Sequence, residues 1–118
     1  MSKVKILHNK MCSKSCTAMN FLKDHGFSDA DIDVNLYVEN GIDTATAQLI
    51  VDTFEGNLED LIRKPDAKKL EIEVPSPLTK EWIVENIVKT PKIMQRPIII
   101  KDGKAIIGRS EESLGMLI

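Results

Sequence analysis

Apolar and polar residues alternate in three different rhythms along this chain. "KVKIL" (Lys3 to Leu7) alternates charged and apolar positions and then turns apolar, the pattern of a strand. After a loop at Asn9 to Met11, "SKSCTAMNFLKDHG" places Ala18, Phe21 and Leu22 at helical spacing, with Gly26 as C-cap. "DIDVNLYV" (Asp31 to Val38) returns to strict alternation and predicts a second, half-buried strand. Strand, helix and strand in so short a span make a βαβ unit. Its strands should be parallel and its crossover right-handed.

The middle of the chain changes rhythm. "DTATAQLIVDTF" is periodic as a helix and opens on Asp and Thr, which suit its cap. "NLEDLIRK" predicts another helix, capped by Asn57 and stopped by Pro65. A third runs from Thr79 to Lys89, with Pro91 as terminator, and "EIEV" (Glu71 to Val74) alternates as a short strand would. "RPIII" and "KAIIG" are apolar runs joined by "KDG", a strong hairpin signal. "SEESLGMLI" then predicts a final helix capped by Ser110, with Glu111 and Glu112 in its first turn. The order β-α-β, then helices, then β-β-α, describes an α/β protein of the thioredoxin-like fold. Residues from about 41 to 90 form a helical insertion between its two halves.

Composition narrows the function. The 118 residues suit one domain, 1–118, with 42% hydrophobic and 29% charged residues. A net charge of -2 provides no overall basic field for nucleic acid or a membrane surface, so any anion site must be local. No signal peptide opens the sequence, and no apolar run approaches the ~20 residues of a membrane span. The chain therefore reads as cytoplasmic. In that compartment a lone cysteine pair points to catalysis or redox chemistry.

Both cysteines lie in "HNKMCSKSC". Cys12 falls where the first strand hands over to the first helix, at a positive dipole end with free backbone N–H groups. Such a place favours a thiolate, and the same N–H groups can hold an oxyanion. Lys14 adds a cation, and His8 adds another if protonated; the alternative for His8 is a strand cap or a solvated ring. Cys16, one turn on, is expected to pack as a core residue beneath that turn, with a resolving thiol as the alternative. No metal site is expected, because His8, Cys12 and Cys16 supply three ligands at most.

The motifs "HNKMCSKSC", "DLIRKPD", "QRPIII" and "IGRSEE" together resemble the glutaredoxin-dependent, thioredoxin-fold arsenate reductase family, along nearly the whole chain from Lys5 to Leu117. The resemblance makes Cys12 the nucleophile. It implies that Arg63, Arg96 and Arg109 hold the oxyanion or stabilise its adduct, that Pro97 is cis, and that Ser15 bonds the sulfur. His8 matches the loop histidine. Two positions depart from the pattern: Cys16 stands where the family usually has arginine, and Lys10 where it usually has proline.

The implied activity is reduction of arsenate to arsenite through a Cys12 adduct. Glutathione is the co-substrate, glutaredoxin or thioredoxin the partner, and no cofactor is bound. A monomer is expected. The alternatives are a redox regulator of the Spx type, which binds RNA polymerase through this fold, and a general thiol oxidoreductase without arsenate activity. Spx-type proteins carry C-x-x-C, whereas this chain has C-x-x-x-C and keeps the three arginines.

Overall fold

Four short segments build one sheet: Val4–Leu7 (β1), Ile32–Asn35 (β2), Ile98–Lys101 (β3) and Lys104–Ile107 (β4). A computed structural model describes residues 4–117 and orders them β2-β1-β3-β4. Lys3, expected to open the first strand, lies outside the described residues. β1 runs parallel to β2, with Val4 beside Ile32, and antiparallel to β3, with Ile6 beside Ile99. β3 and β4 form the expected hairpin. Its turn residues Asp102 and Gly103 take φ of 52° and 76°, the left-handed pair that a two-residue turn needs.

Helices cover both faces of the sheet. They are Ser13–Asp24 (α1), Tyr37–Asn40 (α2), Thr44–Thr53 (α3), Lys64–Lys69 (α4), Lys80–Lys89 (α5) and Glu111–Gly115 (α6), with short 3-10 turns at Asp29–Asp31, Leu58–Leu61 and Pro91–Ile93. Val4, Ile6 and Ile99 pack with Ala18, Leu22 and Leu114 on one side. Leu7 and Ile98 pack with Ile50, Ile83 and Ile87 on the other. A strand buried on both faces must be apolar at consecutive positions, which accounts for the unbroken "III" from Ile98 to Ile100. Asp43 caps α3 through Thr46 N–H, Thr79 caps α5 through Trp82 N–H, and Ser110 caps α6 through Ser113 N–H. The thioredoxin-like arrangement and the helical stretch between its halves are as expected. Among the described residues no helix is long and apolar enough to cross a membrane.

Three local expectations fail for identifiable reasons. The second strand ends at Asn35; Tyr37–Asn40 is a helical turn closed by Gly41 at φ 83°, and Tyr37 is buried. "EIEV" is not a strand. Glu71 adopts φ 58°, its N–H bonds Lys68 O, and Ile72 N–H bonds Ala67 O, so this stretch is the C-terminal lock of α4. The helix expected over 57–64 shrinks to a 3-10 turn at Leu58–Leu61, and Asn57 makes no side-chain cap bond. Beyond it the chain is extended: Ile62 bridges Met94, Arg63 N–H bonds Ile93 O and Gln95 N–H bonds Leu61 O. Pro65 does not stop a helix. It opens α4, where its missing N–H costs nothing.

Candidate functional site

The turn between β1 and α1 is fixed by its own side chains. Asn9 Oδ1 accepts from Met11 N–H at 3.0 Å, and Cys12 N–H bonds Asn9 O at 2.9 Å. Asn9 N–H in turn donates to Ser15 Oγ at 3.3 Å, and Ser15 is fully buried. These bonds set Cys12 as the N-cap residue of α1, at φ -102° and ψ 121°, half-buried.

No strict capping bond closes on the neutral thiol, yet the site favours its anion. Burial pushes the Cys12 thiol up. It is outweighed by the Ser15 backbone N–H, the Arg96 guanidinium and the Lys14 backbone N–H, which all face the sulfur. The net result is a pKa lowered from 9.0 to about 7. A thiol so placed is substantially ionised at neutral pH and is a competent nucleophile.

Arg96 reaches the sulfur from two residues before β3. The Arg96–Pro97 peptide is cis, and Pro97 O accepts from Gly108 N–H at 2.9 Å. On its other side the guanidinium meets Asp66: Arg96 Nη1 lies 3.2 Å from Asp66 Oδ2, and Arg63 Nε lies 3.1 Å from the same oxygen. Gln95 Oε1 accepts from Arg63 Nη1 and from Arg96 N–H, both at 3.2 Å. The extended segment at Ile62 and Arg63 is what brings this second arginine alongside residues 93–96.

With that geometry in place, the likeness to known proteins has a physical basis. A model of the ArsC family matches residues 7–117. The chain belongs to the ArsC family. It is 36% identical over 113 residues to the uncharacterized protein YfgD of Escherichia coli K12, across 94% of this chain and 92% of that one. It is 28% identical over 116 residues to an arsenate reductase of Neisseria meningitidis, across 97% of both. The solved arsenate reductase of Vibrio cholerae shares its fold, with a TM-score of 0.79 at 23% identity over 99% of this chain and 98% of that one.

In this ArsC-family protein the residues singled out from the sequence have unequal placements. Cys12 and Arg96 face one another, and Arg63 joins them through Asp66. Arg109 touches the group through the backbone, donating from Nη1 to Arg96 O at 2.8 Å, and it also lines a cavity of about 480 Å³ with Phe54, Ile107 and Met116. Pro97 is cis, as the resemblance implied. Ser15 contributes its backbone N–H to the sulfur, while its hydroxyl accepts from Asn9. Lys14 is exposed and acts on Cys12 through its N–H.

Two placements correct the sequence reading. Cys16 is not a core residue: it is an exposed free thiol whose sulfur lies 3.5 Å from Lys10 O, and Ser15 and Ala18 take the inward positions of the first turns. His8 is neither solvated nor a cation at neutral pH; of the readings weighed for it, the strand cap is the one that its backbone N–H bond to Asn35 O at 2.9 Å fits. It is buried at the end of β1, burial lowers its pKa against an opposing pull from Glu39, and its Nδ1 has no hydrogen-bond partner. Asp66, Gln95 and Tyr37 are the site residues that the sequence reading missed. The carboxylate three residues after Arg63 and the amide before Arg96 were visible in "RKPD" and "QRP". Tyr37 reads as ordinary core until its hydroxyl is seen against Arg96.

Proposed function

We propose that this protein is a thiol-dependent reductase of arsenate, with Cys12 as nucleophile and glutathione as the co-substrate. One observation carries the reading: Cys12 is the N-cap residue of α1 and its sulfur faces Arg96, a placement that favours the thiolate. An anionic nucleophile attacks an anionic substrate only where cations and N–H donors offset their repulsion. Arg96, Arg63 and Arg109 supply guanidinium groups around one end of the sheet, and each can bond two oxygens of a tetrahedral oxyanion. Ser15 and Lys14 contribute N–H donors, and Pro97 fixes the chain entering β3.

The chemistry balances as a two-electron transfer. The Cys12 thiolate attacks arsenic(V), an As–O bond breaks, and the departing oxygen leaves as water. The glutathione thiol then attacks the Cys12 sulfur of the adduct. A disulfide forms between Cys12 and glutathione, the S–As electron pair stays with arsenic, and arsenite departs as arsenic(III). Glutaredoxin or thioredoxin restores the Cys12 thiol by exchange. No bound cofactor takes part.

The exposed thiol of Cys16 favours one variant of the last step. Attack of Cys16 on the mixed disulfide would release glutathione and leave a Cys12–Cys16 disulfide for thioredoxin. A coupled assay with arsenate and glutathione, run with glutaredoxin and separately with thioredoxin, tests both versions. Turnover lost in Cys12→Ser supports the reading, and turnover retained in Cys12→Ser sinks it. Turnover with thioredoxin that requires Cys16 establishes the variant.

A further inference from the structure

Two of the three arginines assigned to the oxyanion already hold one. Asp66 Oδ2 accepts from Arg63 Nε and Arg96 Nη1 at 3.1 and 3.2 Å, and the Asp66 side chain is only 14% exposed. A single carboxylate oxygen shared by two guanidiniums takes the place that an oxyanion oxygen would take between them. The charges nearly cancel as well. Arg63 and Arg96 carry two positive charges; Asp66 and the Cys12 thiolate carry two negative ones. Arriving at the ionised site, a dianion meets no net positive charge from this quartet until the carboxylate gives way.

We infer that Asp66 is a specificity-determining residue: its carboxylate occupies the Arg63–Arg96 pair in the free protein, and an oxyanion binds there by displacing it. The inference rests on the oxyanion reading of the Cys12 site. It follows that anions with one weak contact, such as chloride or bicarbonate, fail to open the pair, whereas a tetrahedral dianion that replaces both contacts succeeds. Asp66 also holds the two guanidiniums together and oriented while the site is empty, since like charges would otherwise drive them apart.

Asp66→Asn keeps the shape and one acceptor oxygen but removes the charge, and Asp66→Ala removes both. The readout is protection of Cys12 from iodoacetamide at pH 8 by arsenate, phosphate or sulfate, with the pH midpoint of alkylation measured without anion. For Asp66→Asn the expected result is protection at oxyanion concentrations lower by about tenfold, since a neighbouring charge is worth one to three pKa units. Sulfate and phosphate should gain with arsenate, and the alkylation midpoint should stay at or below that of the parent. Weaker protection with a raised midpoint would mean that Asp66 is only a brace for Arg96, and would overturn the inference. If the parent is unprotected but Asp66→Asn is protected, the occlusion stands and the arsenate reading fails. If neither is protected, both fall.

Discussion

The Tyr37 hydroxyl lies against the Arg96 guanidinium, yet Tyr37 Oη and Arg96 Nε are both buried without a hydrogen-bond partner. They feel one another electrostatically but miss hydrogen-bond geometry. Burial pushes the Tyr37 phenol up to about 12, so it stays protonated wherever the thiol works. A buried hydroxyl with no partner is a cost, not a stabiliser. Tyr37→Phe should therefore leave stability unchanged or raise it by about 1 kcal/mol, read from urea unfolding. A clear loss of stability would show that the hydroxyl is bonded in solution.

The depressed Cys12 thiol gives a pH test. Alkylation by iodoacetamide should rise with pH to a midpoint of about 7, where an ordinary cysteine would wait until about 9. Arg96→Gln should move the midpoint up by about one unit, because one of the cationic partners of the thiolate is gone. Cys16→Ser should leave the curve in place. The sign in stability is fixed too. A group whose folded pKa is depressed stabilises fully above its unfolded value and loses that contribution as pH falls through the folded one. The stability advantage of the parent over Cys12→Ser should thus grow between pH 7 and 9.

How far the sequence carries this picture differs between elements. The four strands of the sheet, the caps at Asp43, Thr79 and Ser110, and the Asp102–Gly103 turn were legible because each is governed by neighbours a few residues away. The position of Cys12 was legible for the same reason, since the strand and helix that flank it announce themselves. Arg63 was not. Its neighbours have helical periodicity, but pairing of Ile62 with Met94 and of Leu61 with Gln95 overrides that local preference. Contacts across some thirty residues decide where the arginine points, and no short pattern reports them. Cys16 failed differently: at i+4 from Cys12 either face of the helix was open to it, and the inward turn went to Ser15, a polar residue that its bond to Asn9 keeps buried.

His8 offers a test of the acid limb. Its ring is buried, and burial lowers its pKa from the model-peptide value of 6.5, with Glu39 opposing. The unfolded chain thus takes up this proton at higher pH than the folded one, so stability should fall as pH drops through about 6.5. His8→Gln should flatten that part of the stability-pH curve. The His8 ring resonances should titrate with a midpoint below 6.5, and a midpoint above it would mean that Glu39 dominates.

Thr53 ties the insertion to the edge of the sheet, and through it to Arg109. At the end of α3 its hydroxyl donates to Leu49 O at 2.8 Å and accepts from Ala105 N–H at 2.9 Å. Among the described residues β4 has no strand on its outer side, so without Thr53 the buried Ala105 would carry an orphaned N–H. Thr53→Val keeps the shape and removes both bonds. It should cost about 1–3 kcal/mol in urea unfolding, with an unchanged m-value, whereas Thr53→Ser should recover most of the loss. β4 runs directly into Gly108 and Arg109, and Arg109 holds the Arg96 carbonyl. If that strand carries the mechanical link, Thr53→Val should also raise the midpoint of Cys12 alkylation slightly. An unaltered midpoint beside the expected stability loss would show that Arg96 is held in place without β4, by its bonds to Asp66, Gln95 and Lys92 O.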